Sequence, residues 1–219
     1  MSVGIGSLLL GRKITKFGIK VGLLGIVSTL TIQSHVLAGG TVTSCDEASL
    51  RAALAGGGTV TFNCDGTIAL TGTLAIASST ALNAAGHAIT LSGNNTVRVF
   101  TVSGTNTLSL FNLTIANGLS LGTNAVVGTT GGAGQGGGVL LKLNGGTLIA
   151  SNCLFLANVA QGGNSGSPND SHTICGNGGD GLGGAINVNS GSLSITNCDF
   201  IGNQAKGGAG TTGASEHCP

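Results

Sequence analysis

Cysteine is the residue type in this 219-residue chain whose placement most clearly suggests chemistry, and the chain has six. Cys45 and Cys64 flank one short unit, and a disulfide that closes a loop of this size contributes about 3 kcal/mol to stability. Cys175 and Cys218 lie in equivalent later loops, and we expect them to form a second disulfide. The remaining two cysteines belong to a repeat that is described below.

Two histidines lie close to the later pair of cysteines, which raises the question of a zinc site. His172 precedes Cys175, and His217 directly precedes Cys218. This spacing does not match the close Cys-x-x-Cys pairs of structural zinc sites. We therefore predict no metal site and no cofactor.

Catalysis on a polysaccharide would require carboxylates grouped on one strand face, either to hold Ca²⁺ beside a base or to act as a paired acid and base. The candidate strands at residues 139–143 and 185–189 carry Lys142 and asparagines, and Arg98 is predicted on the same face one layer earlier. Asp199 is the only acid on a repeat strand, and strand alternation places it outward and alone. No catalytic residue is therefore predicted.

The composition excludes several classes of protein. The chain has 42 glycines, 7% charged residues, a formal charge of +1 and neither Trp nor Tyr. Its hydrophobic content is too high for a disordered chain, and its two prolines are too few for collagen. The low positive charge argues against a nucleic-acid partner. The usual aromatic platforms for binding sugars are missing as well.

Residues 1–38 are predicted to be a signal peptide. A basic region precedes an apolar stretch at residues 21–32, and Val36-Leu37-Ala38 provides a small-residue cleavage site. A membrane anchor is the alternative, but twelve helical residues reach only about 18 Å of the roughly 30 Å that a span requires. We therefore expect export, with no membrane span in the mature chain. The basic residues of the signal are Arg12, Lys13, Lys16 and Lys20.

Residues 39–58 are predicted to form an N-terminal cap. Ser44 is placed at a helix N-cap with Glu47 three residues later, as in a capping box. Leu50 and Ala53 then share one face of a short amphipathic helix. Such a helix would cover the open edge of a stack of sheets, which would otherwise invite aggregation.

Three segments of the remaining chain align without gaps, at separations of 40 and 45 residues. Subtracting the glycine-rich insertions at about 119–136 and 161–182 leaves turns of about 19–23 residues. The pattern predicts an all-β fold, a right-handed parallel β-helix over residues 59–219 that is incomplete at its C-terminus. Recognition would sit on the insertions, which we expect to be mobile. The aligned segments are 108–118, 148–158 and 193–203.

Two columns of the alignment carry polar groups. Asn112, Asn152 and Asn197 fall between two inward-facing runs, where asparagine suits a corner because it tolerates the left-handed conformation. We expect their side chains to stack as a hydrogen-bonded ladder, and a role as ligands is the alternative. Cys153 and Cys198 share the next column, with Cα atoms about 4.8 Å apart. Both a disulfide and two free buried thiols are compatible with that spacing.

The aligned repeats contain two copies of a motif pair, a glycine-rich motif followed later by a phenylalanine and an asparagine. The better copy is Gly183-Gly184-Ala185-Ile186 with Phe200 and Asn203, and the second is Gly137-Gly138-Val139-Leu140 with Phe155 and Asn158. The pair resembles the GGA[ILV] and FxxN repeats of chlamydial polymorphic outer-membrane proteins and related bacterial right-handed β-helix proteins. The segment Ser49-Leu50-Arg51-Ala52-Ala53 is similar to the SLREA segment near the start of many secreted bacterial β-helix proteins.

The resemblance implies a secreted or surface-exposed passenger, associated with the bacterial outer membrane and often adhesive. Its expected partner is a cell surface or a glycan. The predicted function is therefore a non-catalytic β-helix with an adhesin-like or structural role. A pectate-lyase-like enzyme acting on an acidic polysaccharide, with Arg98 and Lys142 as the residues to test, is the alternative.

Overall fold

The computed structural model describes residues 39–126, 129–166 and 176–210, and within these ranges the chain forms one helix and twenty strands. The predicted signal peptide at residues 1–38 lies outside the described residues. The elements are β1 (Gly39–Val42), α1 (Glu47–Leu54), β2 (Gly58–Phe62), β3 (Gly66–Ala69), β4 (Leu74–Ile76), β5 (Thr80–Asn83), β6 (Ile89–Ser92), β7 (Phe100–Val102), β8 (Thr107–Phe111), β9 (Thr114–Ala116), β10 (Leu119–Leu121), β11 (Gly134–Gln135), β12 (Val139–Leu141), β13 (Thr147–Ser151), β14 (Leu154–Leu156), β15 (Val159–Gln161), β16 (Gly181–Leu182), β17 (Ile186–Val188), β18 (Ser192–Thr196), β19 (Asp199–Ile201) and β20 (Gln204–Lys206).

All the strand pairings among these elements are parallel. The first sheet has the order β1-β2-β5-β8-β13-β18, the second β3-β6-β9-β14-β19, and the third β4-β7-β12-β17. Two smaller sheets have the orders β10-β15-β20 and β11-β16. From β2 onward, strands that follow each other along the chain lie in different sheets, and each of the three large sheets gains a strand when the chain returns to it. The predicted all-β fold with one short helix is confirmed, and its sheets are parallel.

The strand register matches the repeat alignment residue for residue. In the first sheet Leu108 pairs with Leu148 and Leu148 with Leu193. In the second sheet Phe155 pairs with Phe200, and their rings stack with centroids 4.9 Å apart and planes within 4°. These side chains point inward because alternate residues of a strand face one side of the sheet. Leu108, Leu148 and Phe155 belong to one continuous apolar core, whereas Leu193 and Phe200, in the last described layer, are partly exposed.

Helix α1 begins later than the capping box predicted. Asp46, and not Ser44, is the N-cap: its side chain accepts a hydrogen bond of 2.8 Å from the N–H of Ser49. The Asp46 N–H instead donates to the Ser44 carbonyl, so the chain is still in a turn at Ser44. Leu50 is fully buried and Ala53 nearly so, and the helix packs on β1. The helix thus covers the outer edge of the first sheet.

The disulfide between Cys45 and Cys64 is confirmed, with Cα atoms 5.8 Å apart. It joins the chain just before α1 to the turn just after β2. Both sulfurs pack against the apolar core, so the bond fastens the helix end of the fold to the sheets. Cys175 and Cys218, the other predicted disulfide, lie outside the described residues together with His172 and His217.

The glycine-rich insertions are more ordered than predicted where the structure describes them. They contain three of the strands, β10, β11 and β16, and β15 ends at the first residue of the second insertion. Beyond these strands, backbone hydrogen bonds of 2.8 Å link one insertion to the next in a series that we call the glycine stack. The series runs from Gly208 to Gly179, from Gly179 to Gly163 and from Gly163 to Gly132, each N–H donating to the next carbonyl.

Side chains are excluded from the glycine stack because the backbones are in direct contact. A Cβ atom built on Gly163 would lie 2.0 Å from the Thr123 carbonyl oxygen, and one on Gly179 would lie 2.0 Å from the Gly132 carbonyl oxygen. Glycine is therefore required here by close approach of backbones. The glycine content alone predicts mobile insertions, whereas in the described residues these glycines are packed backbone against backbone.

The glycine stack leads to a stability prediction. Gly163→Ala should lower the free energy of unfolding by about 1–3 kcal/mol or more, since a backbone segment must move to accommodate the methyl group. Gly207→Ala is the matched control, because the nearest atom to its Cβ would be 3.9 Å away. Chemical denaturation of both variants measures the difference. Equal stabilities would contradict the close packing of the stack.

A second prediction concerns acid stability and Glu47. Desolvation opposes ionisation of this carboxylate, but hydrogen bonds from the Thr71 hydroxyl and N–H and from Arg51, with the Arg51 charge, lower its pKa to about 2. A carboxyl group whose pKa is lowered in the folded state stabilises the fold above its unfolded pKa, and that stabilisation is lost as the pH falls. The free energy of unfolding should therefore fall between about pH 4 and pH 2.

Denaturation curves over this pH range test the prediction. Glu47→Gln should show a smaller fall than the wild type, because the glutamine cannot take up the proton. Asp199→Asn, which changes an exposed carboxylate on β19 that forms no ion pair among the described residues, is the matched control. A wild-type slope in Glu47→Gln would show that Glu47 does not contribute to the acid sensitivity.

Candidate functional site

A groove of about 530 Å³ crosses the turns that connect the first sheet to the second. Its residues come from successive repeats, so it runs across neighbouring strands and not along one of them. We call it the Asn groove. Its polar lining consists of Thr90, Asn112, Thr114, Asn152, Asn197 and Asp199.

The three predicted corner asparagines lie along this groove. Asn112, Asn152 and Asn197 have φ angles of 59°, 53° and 49°, so all three adopt the left-handed conformation. This conformation reverses the side-chain alternation between the two sheets and costs asparagine less than most other residues. The Asn152 amide donates to the Asn112 side-chain oxygen at 3.3 Å. Within the described part of the chain, the Asn197 side chain makes no hydrogen bond.

One member of this ladder was missed by the sequence analysis. The Asn112 amide donates to the side-chain oxygen of Asn83 at 2.9 Å. Asn83 ends β5, and its neighbour in register is Phe111 and not Asn112. The repeat alignment did not extend to this layer. The signal that could have located it is Leu82, which directly precedes Asn83. Leu82 pairs with Leu110 of the aligned segment 108–118, and both leucines are fully buried.

The outer wall of the groove is a column of side chains from the second sheet. Thr90 pairs with Thr114, Thr114 with Leu154, and Leu154 with Asp199. Both threonines are half-buried, and Asp199 is exposed at the end of the column. The groove therefore offers amides and hydroxyls along most of its length and a carboxylate at one end. It can form hydrogen bonds with an extended polar ligand.

Cys153 and Cys198 lie beside the asparagines in adjacent layers, and both are free thiols. Cys153 lines the Asn groove and is 3% exposed, whereas Cys198 is half-buried. The Cys153 N–H donates to the Cys198 sulfur at 3.4 Å. Burial raises the pKa of the Cys153 thiol. Cys153 is therefore held in its protonated form.

The asparagines of the FxxN motifs have a structural role. Asn158 is fully buried, and its amide donates to the carbonyl of Ile115 and to the side-chain oxygen of Asn203, both at 2.9 Å. Its own side-chain oxygen accepts from the Gly118 N–H at 2.9 Å. Three consecutive layers are thus joined through one amide. These groups would otherwise be buried without partners.

The glycines of the GGA[ILV] motif are explained by backbone geometry as well. Gly183 has a φ of 60°, and a Cβ on Gly184 would lie 2.4 Å from the Gln204 carbonyl oxygen. Ala185 is buried, and Ile186 pairs with Val139 in the third sheet. The motif therefore marks the return from an insertion into a core strand.

The residues proposed for the lyase alternative do not meet at the Asn groove. Arg98 is half-buried, and its guanidinium donates to the carbonyls of Gln135 and Gly136 and to the hydroxyls of Ser120 and Thr101. Desolvation lowers the pKa of this guanidinium. Lys142 is exposed and lies directly after β12. The two ion pairs among the described residues, Arg51–Glu47 and His87–Asp65, include neither Arg98 nor Lys142. Arg98 thus acts as a bridge between backbone segments.

No group of three or more potential metal ligands occurs among the described residues. In the same part of the chain, no helix has the length and apolar character to cross a membrane. No family model matches the sequence, and no match was found among curated proteins or solved structures.

The two asparagine ladders should differ in their contribution to stability. Asn158→Ala should lower the free energy of unfolding by about 3 kcal/mol or more, because it leaves several buried backbone groups unpaired. Asn152→Ala, in the exposed ladder, should cost only about 1 kcal/mol for placing alanine in a left-handed conformation. Thermal and chemical denaturation measure both values. If both variants lost the same free energy of unfolding, the buried amide of Asn158 would contribute no more to stability than the exposed ladder does.

Proposed function

We propose that this protein is an exported right-handed parallel β-helix with an adhesin-like, non-catalytic role, and that it binds an extended neutral glycan along the Asn groove. The observation that carries the proposal is the groove itself, whose polar side chains repeat in register from layer to layer. A polymer with a regular repeat can then make the same hydrogen bonds in successive layers.

The sheet order supports the β-helix part of the proposal. The chain visits the first, second and third sheets in the same sequence each time, and every return adds a strand parallel to the previous one. Parallel strands in one sheet are joined by right-handed crossovers in nearly all proteins. Coils of about 19–23 residues also agree with the repeat period.

Export to a cell surface or to the medium is supported by two features of the chain. The predicted signal peptide precedes every cysteine, and the Cys45–Cys64 disulfide is typical of an oxidising compartment. The resemblance of the GGA[ILV] and FxxN motifs to those of chlamydial polymorphic outer-membrane proteins supports display at the bacterial outer membrane. It also supports a role in adhesion.

The chemistry of the groove supports a neutral ligand. Amide and hydroxyl groups form hydrogen bonds with sugar hydroxyls, and the one carboxylate, Asp199, would repel an acidic polymer. The lining has no paired carboxylates, which hydrolysis of a glycosidic bond requires. The Arg98 side chain is occupied by backbone carbonyls and by hydroxyls of the protein. These features favour binding without turnover.

A lysine placed in the groove tests the proposal. The mature chain would be assayed against immobilised neutral β-glucans, mannans and galactans, with polygalacturonate as an acidic comparison. Thr114→Lys should weaken binding by about tenfold or more, which corresponds to about 1.4 kcal/mol. The matched control is Ser109→Lys, at an outward, half-buried position of the neighbouring strand β8. Its binding should remain at the wild-type level.

Three outcomes would contradict the proposal. Equal loss in both variants would place the binding outside the groove. If the protein bound no polysaccharide in the panel, a structural role would be favoured over glycan binding. Formation of unsaturated products from polygalacturonate in the presence of Ca²⁺ would instead support the lyase alternative.

A further inference from the structure

The two free cysteines are stacked in the same side-chain conformation. The Cys153 sulfur lies 3.3 Å from the Ser151 carbonyl oxygen, and the Cys198 sulfur lies 3.3 Å from the Thr196 carbonyl oxygen. Ser151 pairs with Thr196 in the first sheet, so the two contacts are equivalent. Each thiol therefore points in the same direction relative to its own backbone.

Register is maintained on both sides of this pair. Ser151 and Thr196 are partners before the cysteines, and Leu154 and Asp199 are partners immediately after them. The two cysteine backbones are therefore one strand spacing apart, about 4.8 Å. Because their conformations match, the two sulfurs are separated by about the same distance.

This separation suits a bridging metal ion better than a disulfide. A disulfide requires sulfurs about 2.05 Å apart and Cβ atoms about 3.8 Å apart. Two thiolates on opposite sides of one metal ion are separated by two metal–sulfur bonds, which is about 4–5 Å on the scale of the bonds in zinc–thiolate sites. Soft thiolate ligands select soft cations such as Cu(I). We propose that Cys153 and Cys198 form a two-coordinate site for a soft monovalent cation.

The surroundings of the pair favour such an ion. Cys153 lines the Asn groove, so an ion has a route from solvent. Leu113, which is 3% exposed, precedes the cysteines in the same column, so an apolar side chain occupies the layer next to Cys153 on the side away from Cys198. Asp199, directly after Cys198, adds an exposed negative charge at the groove entrance. A cation is therefore attracted at the entrance and shielded from water at the sulfurs.

The binding step releases protons. Two S–H bonds break, two metal–sulfur bonds form, and two protons leave to solvent, so the bound site carries one net negative charge. Metal affinity of thiol sites rises with pH for this reason. Release of two protons makes the affinity rise by up to about a hundredfold for each pH unit over which both thiols start protonated.

The test is a titration of the mature chain with Cu(I) under anaerobic conditions. Cys175→Ser and Cys218→Ser would be introduced together, so that Cys153 and Cys198 are the remaining free thiols beside the Cys45–Cys64 disulfide. A Cu(I) chelator provides the competition. We expect one Cu(I) per chain, a thiolate-to-copper absorption band and two sulfur neighbours by X-ray absorption. The affinity should rise with pH as stated above.

Two single variants serve as controls. Cys198→Ser changes the half-buried member of the pair, and Cys153→Ala changes the buried one. Each should weaken Cu(I) binding by about a hundredfold or more, equivalent to about 2.7 kcal/mol. The far-UV spectrum should stay unchanged in Cys198→Ser, which keeps the test valid if Cys153→Ala fails to fold.

Three results would overturn the proposal. They are absence of Cu(I) binding by the folded wild type, wild-type affinity in Cys198→Ser, and rapid closure of a Cys153–Cys198 disulfide by a small disulfide reagent. The last would show that the sulfurs approach to bonding distance. The copper titration does not depend on the glycan-binding proposal, because the two are measured with different probes and different variants.

Discussion

The whole fold depends on parallel strands that stack in register, so that each residue lies beside the equivalent residue of the next repeat. This constraint selects residue types that can tolerate a copy of themselves at about 4.8 Å. Leucine and phenylalanine do so by packing, as Phe155 does on Phe200. Like charges on adjacent strands are destabilising. The constraint therefore explains why only 7% of the residues are charged.

The turns between sheets meet the same constraint with polar side chains. Asparagine supplies both a backbone that accepts the left-handed conformation and an amide that can donate to its copy in the next layer. The exposed ladder links Asn83, Asn112 and Asn152, and the last two line the Asn groove. Asn158, which is buried, and Asn203, which is half-buried, instead donate to backbone carbonyls of the neighbouring strands. One residue type thus lines the proposed binding groove at one corner and stabilises the interior at another.

Much of the core could be predicted from the sequence because hydrophobic residues recur at a fixed period. The pairs Leu108–Leu148 and Phe155–Phe200 follow directly from the gapless alignment. The N-cap was predicted at Ser44 because that residue begins a capping-box pattern, whereas the local turn places Asp46 there. The strand β11, Gly134–Gln135, could not be predicted, since glycine has no hydrophobic side chain with which to mark a period. The Asn groove could not be predicted either, because its lining depends on which residues of neighbouring layers lie side by side.

The glycine stack limits how this protein can change during evolution. Any replacement of Gly132, Gly163, Gly179 or Gly208 adds at least a methyl group where two backbones already touch. The insertions can therefore gain new side chains only at positions that face solvent, such as Leu121 and Val126, which are 64% and 78% exposed. In descendants of this chain, substitutions should therefore accumulate at such exposed positions, while the glycines of the stack are retained.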